Sequence, residues 1–358
     1  LSTHGACAAL LDAQGELALP VMDYEYDGVE ACNDAYARVR PAFADTLSPG
    51  LPSGLNLGRQ LFWQREQFPG AFAGCASVLM YPQYWAWRLT GILATEVTSL
   101  GCHTDLWNPR CADFSSLVDE LALRERLPPL VAATKPLGVV EPWLAESLGL
   151  PQDCAVFPGV HDSNASFARY LAAGLQPPFA VVSTGTWVVS MAAGVSIDAL
   201  DEKRDTLANV NVLGQPLACA RFMGGREFEA ICQATKANTA EVARENQVAE
   251  LVRNASYPLP AFASGSGPFA GRSAELPHSR EHGNALATLY LALMIDYELD
   301  LLGASGDVLF GSSSHKNPLL CRLLAQLRPA QRVLMSGDEA STVRGAWCLT
   351  RWDYAGAH

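Results

Sequence analysis

In Gly159-Val160-His161-Asp162-Ser163-Asn164-Ala165-Ser166 an aspartate stands between a glycine turn and a run of small residues that suits a helix. A carboxylate held in a cleft can orient an alcohol and accept its proton as the oxygen attacks a phosphoryl group. The same context also suits a plain N-cap, for which Asp is a common choice. His161 beside it could contact a sugar hydroxyl or be structural, and Ser163 follows as the next polar group. Further along, Ser183-Thr184-Gly185-Thr186-Trp187 reads as a strand ending in a turn of glycine and hydroxyls. Its backbone amides and the Thr186 hydroxyl could face a phosphate, although many β-turns look alike.

Three weaker segments bear on the same chemistry. Gly224-Gly225-Arg226-Glu227 could open a helix whose N-terminus faces an anion or a ribose, or be a simple strand-to-helix turn. The strand Val308-Leu309-Phe310 meets Gly311-Ser312-Ser313-Ser314, and Lys316-Asn317-Pro318 then opens a helix. That order matches a nucleotide pocket and also a bland connection. His4-Gly5, at the edge of a strand, could touch substrate. Tyr84-Trp85-Trp87 reads as core packing. P-loop, paired-histidine metal and G-x-S-x-G patterns are not found in the sequence.

The elements that must hold these residues alternate in type. Residues 5–22 read as a hairpin around Asp12-Ala13-Gln14-Gly15. A Pro- and Gly-rich loop over 41–58 leads to a helix through Gln60 to Trp63, and Tyr81 to Leu89 is helical up to a cap at Thr90-Gly91. Cys154 to Phe157 is a short strand, Gly159 to Asp162 a turn and Asn164 to Ala173 a helix. After a linker over 174–178, Ala180 to Ser183 and Val188 to Met191 pair around Gly185-Thr186. Leu286 to Leu302, Pro318 to Leu327 and Ser341 to Trp352 are helical. The fold class is therefore α/β, in two lobes, 1–176 and 177–358.

Composition narrows the partners. The 358 residues are 49% hydrophobic and 17% charged, as in a globular protein with a substantial core. A net charge of −12 argues against a nucleic-acid partner, because neutralising phosphates takes clustered Lys and Arg. Ten cysteines without a CxxC pair point to free thiols in a reducing cytoplasm. No apolar run reaches the roughly 18–20 residues that span a bilayer, so no membrane partner is expected. A homodimer is the default for a soluble enzyme. Leu1 is not methionine and the chain enters an apolar strand with no lead-in, so an upstream native segment is expected.

Read in order, the segments resemble the FGGY carbohydrate kinases, in the rhamnulokinase and L-fuculokinase branch. They are Thr3-His4-Gly5, Tyr84-x-x-x-Arg88-Leu89-Thr90-Gly91, Thr95-Glu96-x-Thr98, Gly159-x-His161-Asp162, Ser183 to Trp187, Gly224 to Glu227 and Gly311 to Pro318. The Gly-Thr-Trp turn favours this branch over the xylulokinases. The resemblance implies two ribonuclease-H-like lobes of the actin-like ATPase fold around a central cleft, with the N-terminal part truncated. It implies transfer from ATP with Mg2+ to a hydroxyl of L-rhamnulose, L-fuculose or a similar ketose in carbohydrate catabolism. Asp162 matches the catalytic base, and His4, Gly5, His161, Asp162 and Ser163 fall at the sugar. Gly185 and Thr186 match the turn at the ATP phosphates, Gly224 and Gly225 a second approach to the nucleotide, and Gly311 the backbone near adenine. Metal ligands are not assigned. Two departures stand out: the family's Asp-x-Gly-x-Thr loop is not in this sequence, and Ser312 and Ser313 replace glycines of the adenosine turn. They motivate an alternative, an actin-fold protein that binds nucleotide or sugar without kinase activity.

Overall fold

The computed structural model describes residues 1–263, 265–311, 317–336 and 341–352. The chain forms two compact units. Unit 1 contains residues 1–175, 208–216 and 341–358; unit 2 contains 176–207 and 217–340.

Unit 1 is built on short apolar strands. Strand β1 (Ser2–Thr3) is followed by β2 (Ala8–Leu11), all four residues of which are buried. Its antiparallel partner is β3 (Ser77–Met80), with Ala8 opposite Met80 and Leu11 opposite Ser77. This corrects the expected 5–22 hairpin, since residues 16–22 make only one bridge, Leu11 to Leu17. The turn at Asp12 to Gly15 does form, closed by the Asp12 N–H on Glu16 O at 2.9 Å. Pro20 then has no N–H to extend a ladder. Helix α1 (Leu57–Gln67) buries Leu57, Leu61 and Phe62 against Leu10, Val78 and Leu100, the centre of this core.

Helix α2 (Tyr81–Thr90) starts with Pro82 in its first turn, where a missing N–H costs nothing. It stops at Gly91, whose φ of 67° is left-handed and whose N–H reaches Trp87 O. Its buried face is Pro82, Gln83, Ala86 and Thr90. The expectation that Tyr84-Trp85-Trp87 is core packing fails, because these rings sit off that face and Trp85 is 44% exposed. A single turn, α3 (Val97–Leu100), precedes the site. Strand β4 (Val160–His161) then runs parallel to β1, pairing Ser2 with Val160 and Thr3 with His161. Residues 159–162, read as a turn, therefore contain a strand, which enters α4 (Asp162–Ala172) directly.

Unit 2 contains most of a six-stranded sheet. Its strands are β5 (Phe179–Ser183), β6 (Val188–Ala193), β7 (Thr206–Val210), β8 (Pro216–Phe222), β9 (Asp307–Phe310) and β10 (Val333–Met335), ordered β7-β8-β6-β5-β9-β10. β5, β6 and β8 are antiparallel neighbours, whereas β9 runs parallel to both β5 and β10. Helix α5 (Gly224–Thr235) and α6 (Glu245–Arg253) pack against α7 (Gly283–Leu301). α7 is apolar around most of its circumference and correspondingly buried. Helix α8 (Pro318–Leu327), capped by Asn317, packs on it too.

The last helix, α9 (Ser341–Leu349), packs on α4 in unit 1. A Cβ at Gly345 would lie 1.6 Å from Ala165 O, so only glycine admits this approach. The sequence division at 176/177 placed this helix in the second lobe; its packing partner lies more than 160 residues earlier and leaves no local pattern. No helix among the described residues is long and apolar enough to cross a membrane.

Candidate functional site

The parallel register of β1 and β4 brings the ends of both strands to one edge, so His4 and Gly5 emerge beside His161 and Asp162. The contact is close. A Cβ on Gly5 would lie 2.9 Å from His161 Cδ2 and 3.1 Å from Nε2, which explains glycine there. Asp162 opens α4 as its first residue; the cap position is His161, whose side chain caps nothing. The N-cap alternative for Asp162 is thereby replaced: its Oδ1 instead accepts the Ser163 N–H at 2.6 Å and the Ser163 hydroxyl at 3.3 Å. The Asp162 side chain is 44% exposed, open enough for a ligand to reach.

His161 is enclosed, and burial pushes its imidazole below the ordinary pKa against the opposing pull of Asp162. It is therefore neutral near pH 7. Nε2 lies 3.5 Å from Asp162 Oδ1 and 3.7 Å from Cys102 Sγ, while Nδ1 is buried without a hydrogen-bond partner. His4 packs against Tyr24 edge to face and against Tyr81 at a tilt, at centroid distances of 5.2 and 5.1 Å. Burial, then nearby Glu25 and Asp23 and more weakly Cys7 and Asp162, push the Tyr24 hydroxyl upward. The five unit 1 residues singled out from sequence thus form one cluster.

Unit 2 holds the second group. The Gly185-Thr186 turn joins β5 to β6 and touches the start of α5: the Gly225 N–H donates to Thr186 O at 3.2 Å. A Cβ on Gly225 would lie 2.4 Å from Gly185 O, and one on Gly224 would lie 2.3 Å from Val188 Cγ2. Paired glycines are what let helix and turn meet. Gly185, Thr186, Gly225, Thr288 and Asn317 line a cleft of about 700 Å³. Gly224 is packed behind it. Gly311 follows β9 and donates its N–H to Val182 O at 2.8 Å, beside Ser183 at the end of β5. It is outside the cleft lining. Ser312 and Ser313 lie outside the described residues. Glu227 is structural, accepting from the Tyr290 hydroxyl on α7 and from the Ala263 N–H.

With both groups in place, comparison with known proteins is decisive. Residues 49–168 match the N-terminal domain model of the FGGY family of carbohydrate kinases, and residues 176–357 match the FGGY carbohydrate kinase C-terminal domain model. The chain belongs to the FGGY family. Among its relatives is L-fuculokinase from Salmonella typhi, 31% identical over 201 residues, which cover 55% of this chain and 42% of that enzyme. A probable L-xylulose kinase from Pasteurella multocida is 31% identical over 163 residues, covering 44% of this chain and 31% of that one. A solved carbohydrate kinase from Novosphingobium aromaticivorans is 39% identical with a TM-score of 0.87, over 97% of this chain and 76% of that one. The chain spans about two-fifths of the length of the L-fuculokinases it matches. Its fold is the actin-like ATPase fold of the FGGY kinases.

Sequence reasoning passed over several residues of this candidate site. Gln83 donates to Pro158 O at 3.1 Å and Gly159 O at 2.9 Å, fixing the approach to β4. A buried glutamine on the apolar face of α2 was the available signal. Tyr24 and Tyr81 carried none, because long-range packing places them. Thr98 belonged to a quoted motif without a role, yet its hydroxyl accepts the His161 N–H at 3.1 Å.

Proposed function

We propose that this chain carries the sugar- and nucleotide-binding parts of an ATP-dependent ketose kinase, with L-fuculose, L-rhamnulose or a closely similar ketose as substrate. The observation that carries the reading is the β1–β4 register, which gathers His4, Gly5, His161 and Asp162 at one strand edge. Asp162 accepts the proton of the substrate hydroxyl as that oxygen attacks the γ-phosphorus of ATP. The proton leaves the hydroxyl for a carboxylate oxygen, and the bond from phosphorus to the bridging oxygen of ADP breaks. Neutral His161 supplies a hydrogen bond to a neighbouring sugar hydroxyl through Nε2, the ring nitrogen on the side of Asp162. His4, Tyr24 and Tyr81 offer ring faces to the sugar's C–H surface. The Gly185-Thr186 amides and the start of α5 at Gly225 receive the phosphate chain.

Bound with ATP, Mg2+ would neutralise phosphate charge. It is ordinarily taken through substrate phosphates with one or two carboxylates, and the cleft offers Glu229 and Glu241 for that purpose. Among the described residues the group of three candidate metal ligands is Glu250, Glu281 and His282, which lie outside the cleft lining. No step here runs through the metal. The test is ADP release by the protein with MgATP and a panel of 6-deoxyketohexoses, ketopentoses and polyols. Turnover dependent on a ketose is expected. Binding of nucleotide and sugar without turnover would replace the kinase by a binding protein.

A further inference from the structure

Glu96 is fully enclosed, and among the described residues no basic side chain pairs with it. Burying a carboxyl without a cation is costly, so its retention calls for a job. Besides the Ser99 N–H, its partners are the N–H and the hydroxyl of one residue. Glu96 Oε2 accepts the Thr98 N–H at 3.0 Å and the Thr98 hydroxyl at 2.5 Å. A threonine hydroxyl has one proton and two lone pairs. With the proton committed to Glu96, Thr98 Oγ1 is held as an acceptor, and it faces the His161 N–H at 3.1 Å. The opposite edge of the His161 strand is held by β1 through Thr3. The backbone one residue before Asp162 is thus clamped from both sides, where neither a side-chain cap nor a longer strand would fix it.

We propose that Glu96 and Thr98 are positioning residues for Asp162: the buried acid polarises the threonine hydroxyl, and the hydroxyl fixes the strand-to-helix step that aims the aspartate. This rests on the reading of Asp162 as the base. A carboxylate displaced by an ångström can lose on the order of a hundredfold in rate, so the clamp acts on turnover rather than on nucleotide affinity.

The test uses Thr98→Val, which keeps shape and loses the hydroxyl, Thr98→Ser, which keeps the hydroxyl, and Glu96→Gln, which keeps an acceptor oxygen. Melting curves establish that each variant is folded before its kinetics are read. Thr98→Val is expected to lower kcat at least about tenfold with KM for ATP unchanged, and Glu96→Gln, which loses the charge that polarises the hydroxyl, at least about threefold, while Thr98→Ser stays closer to wild type than either. Amide exchange read by NMR adds a measurement free of catalysis: the His161 N–H should exchange at least about tenfold faster in Thr98→Val and at the wild-type rate in Thr98→Ser. Wild-type kcat in Thr98→Val or in Glu96→Gln, or an equal loss in Thr98→Ser, overturns the proposal. If the wild type turns over no ketose, the functional reading falls, and the exchange arm decides alone: an unchanged His161 rate in Thr98→Val overturns the clamp.

Discussion

Two carboxyl groups that serve one strand end meet opposite surroundings. Asp162 is half-open and held by its own first-turn serine; Glu96 is sealed, and burial pushes its carboxyl up to about 7, outweighing the Thr98 bonds that pull it down. Below about pH 4.5 Glu96 is protonated whether the chain is folded or not, and it costs nothing extra. Between 4.5 and about 7 the unfolded chain releases the proton that the folded protein keeps, so stability falls as pH rises. Above about 7 the full penalty, about 3 kcal/mol, is present. Glu96→Gln carries no such group. Urea unfolding at pH 5 and pH 8 should show the stability advantage of Glu96→Gln over wild type growing by about 3 kcal/mol between the two, and an advantage independent of pH would refute the assignment.

At the scale of elements, close approach through glycine is the recurring device. Gly5 admits the His161 ring, Gly225 admits the Gly185 carbonyl, and Gly345 admits the backbone of the helix that Asp162 begins. Alanine at 345 would have to push α9 away from α4. Gly345→Ala should therefore destabilise unit 1 by about 1–3 kcal/mol, the range of overpacking, and lower Tm by several degrees. Gly70→Ala, where an added Cβ meets nothing within 4 Å, is the control and should lie within about 0.5 kcal/mol of wild type. Equal melting curves for both variants would contradict the packing assigned to α9. The strands and helices that surround these contacts were largely legible, since Pro82, Gly91, Asn317 and Pro318 mark ends in their own local chemistry. Partner choice was not. The apolar run Ser77 to Met80 gives no local sign that it, rather than residues 16–22, takes the edge of β2.

For the whole molecule, the order of the motifs carried the family, because each segment is ambiguous alone and the succession is not. The candidate site could be anticipated where it rests on adjacent residues, as in His161-Asp162 and Gly185-Thr186. It could not where distant chain is folded in. Tyr24 and Tyr81 reach His4 across intervening elements, and the helix at 341–349 joins the unit from which it is remote in sequence. The proposed reaction draws on both groups: a base in unit 1 and a phosphate-sized turn in unit 2. The decisive measurement is ketose-dependent ADP formation by wild type and Asp162→Asn, with ketose binding followed by calorimetry. Asp162→Asn should fold, bind the ketose and form ADP at least about a hundredfold more slowly, the scale of lost general-base catalysis. Turnover near the wild-type rate in Asp162→Asn would contradict the role given to this aspartate and the site built around it.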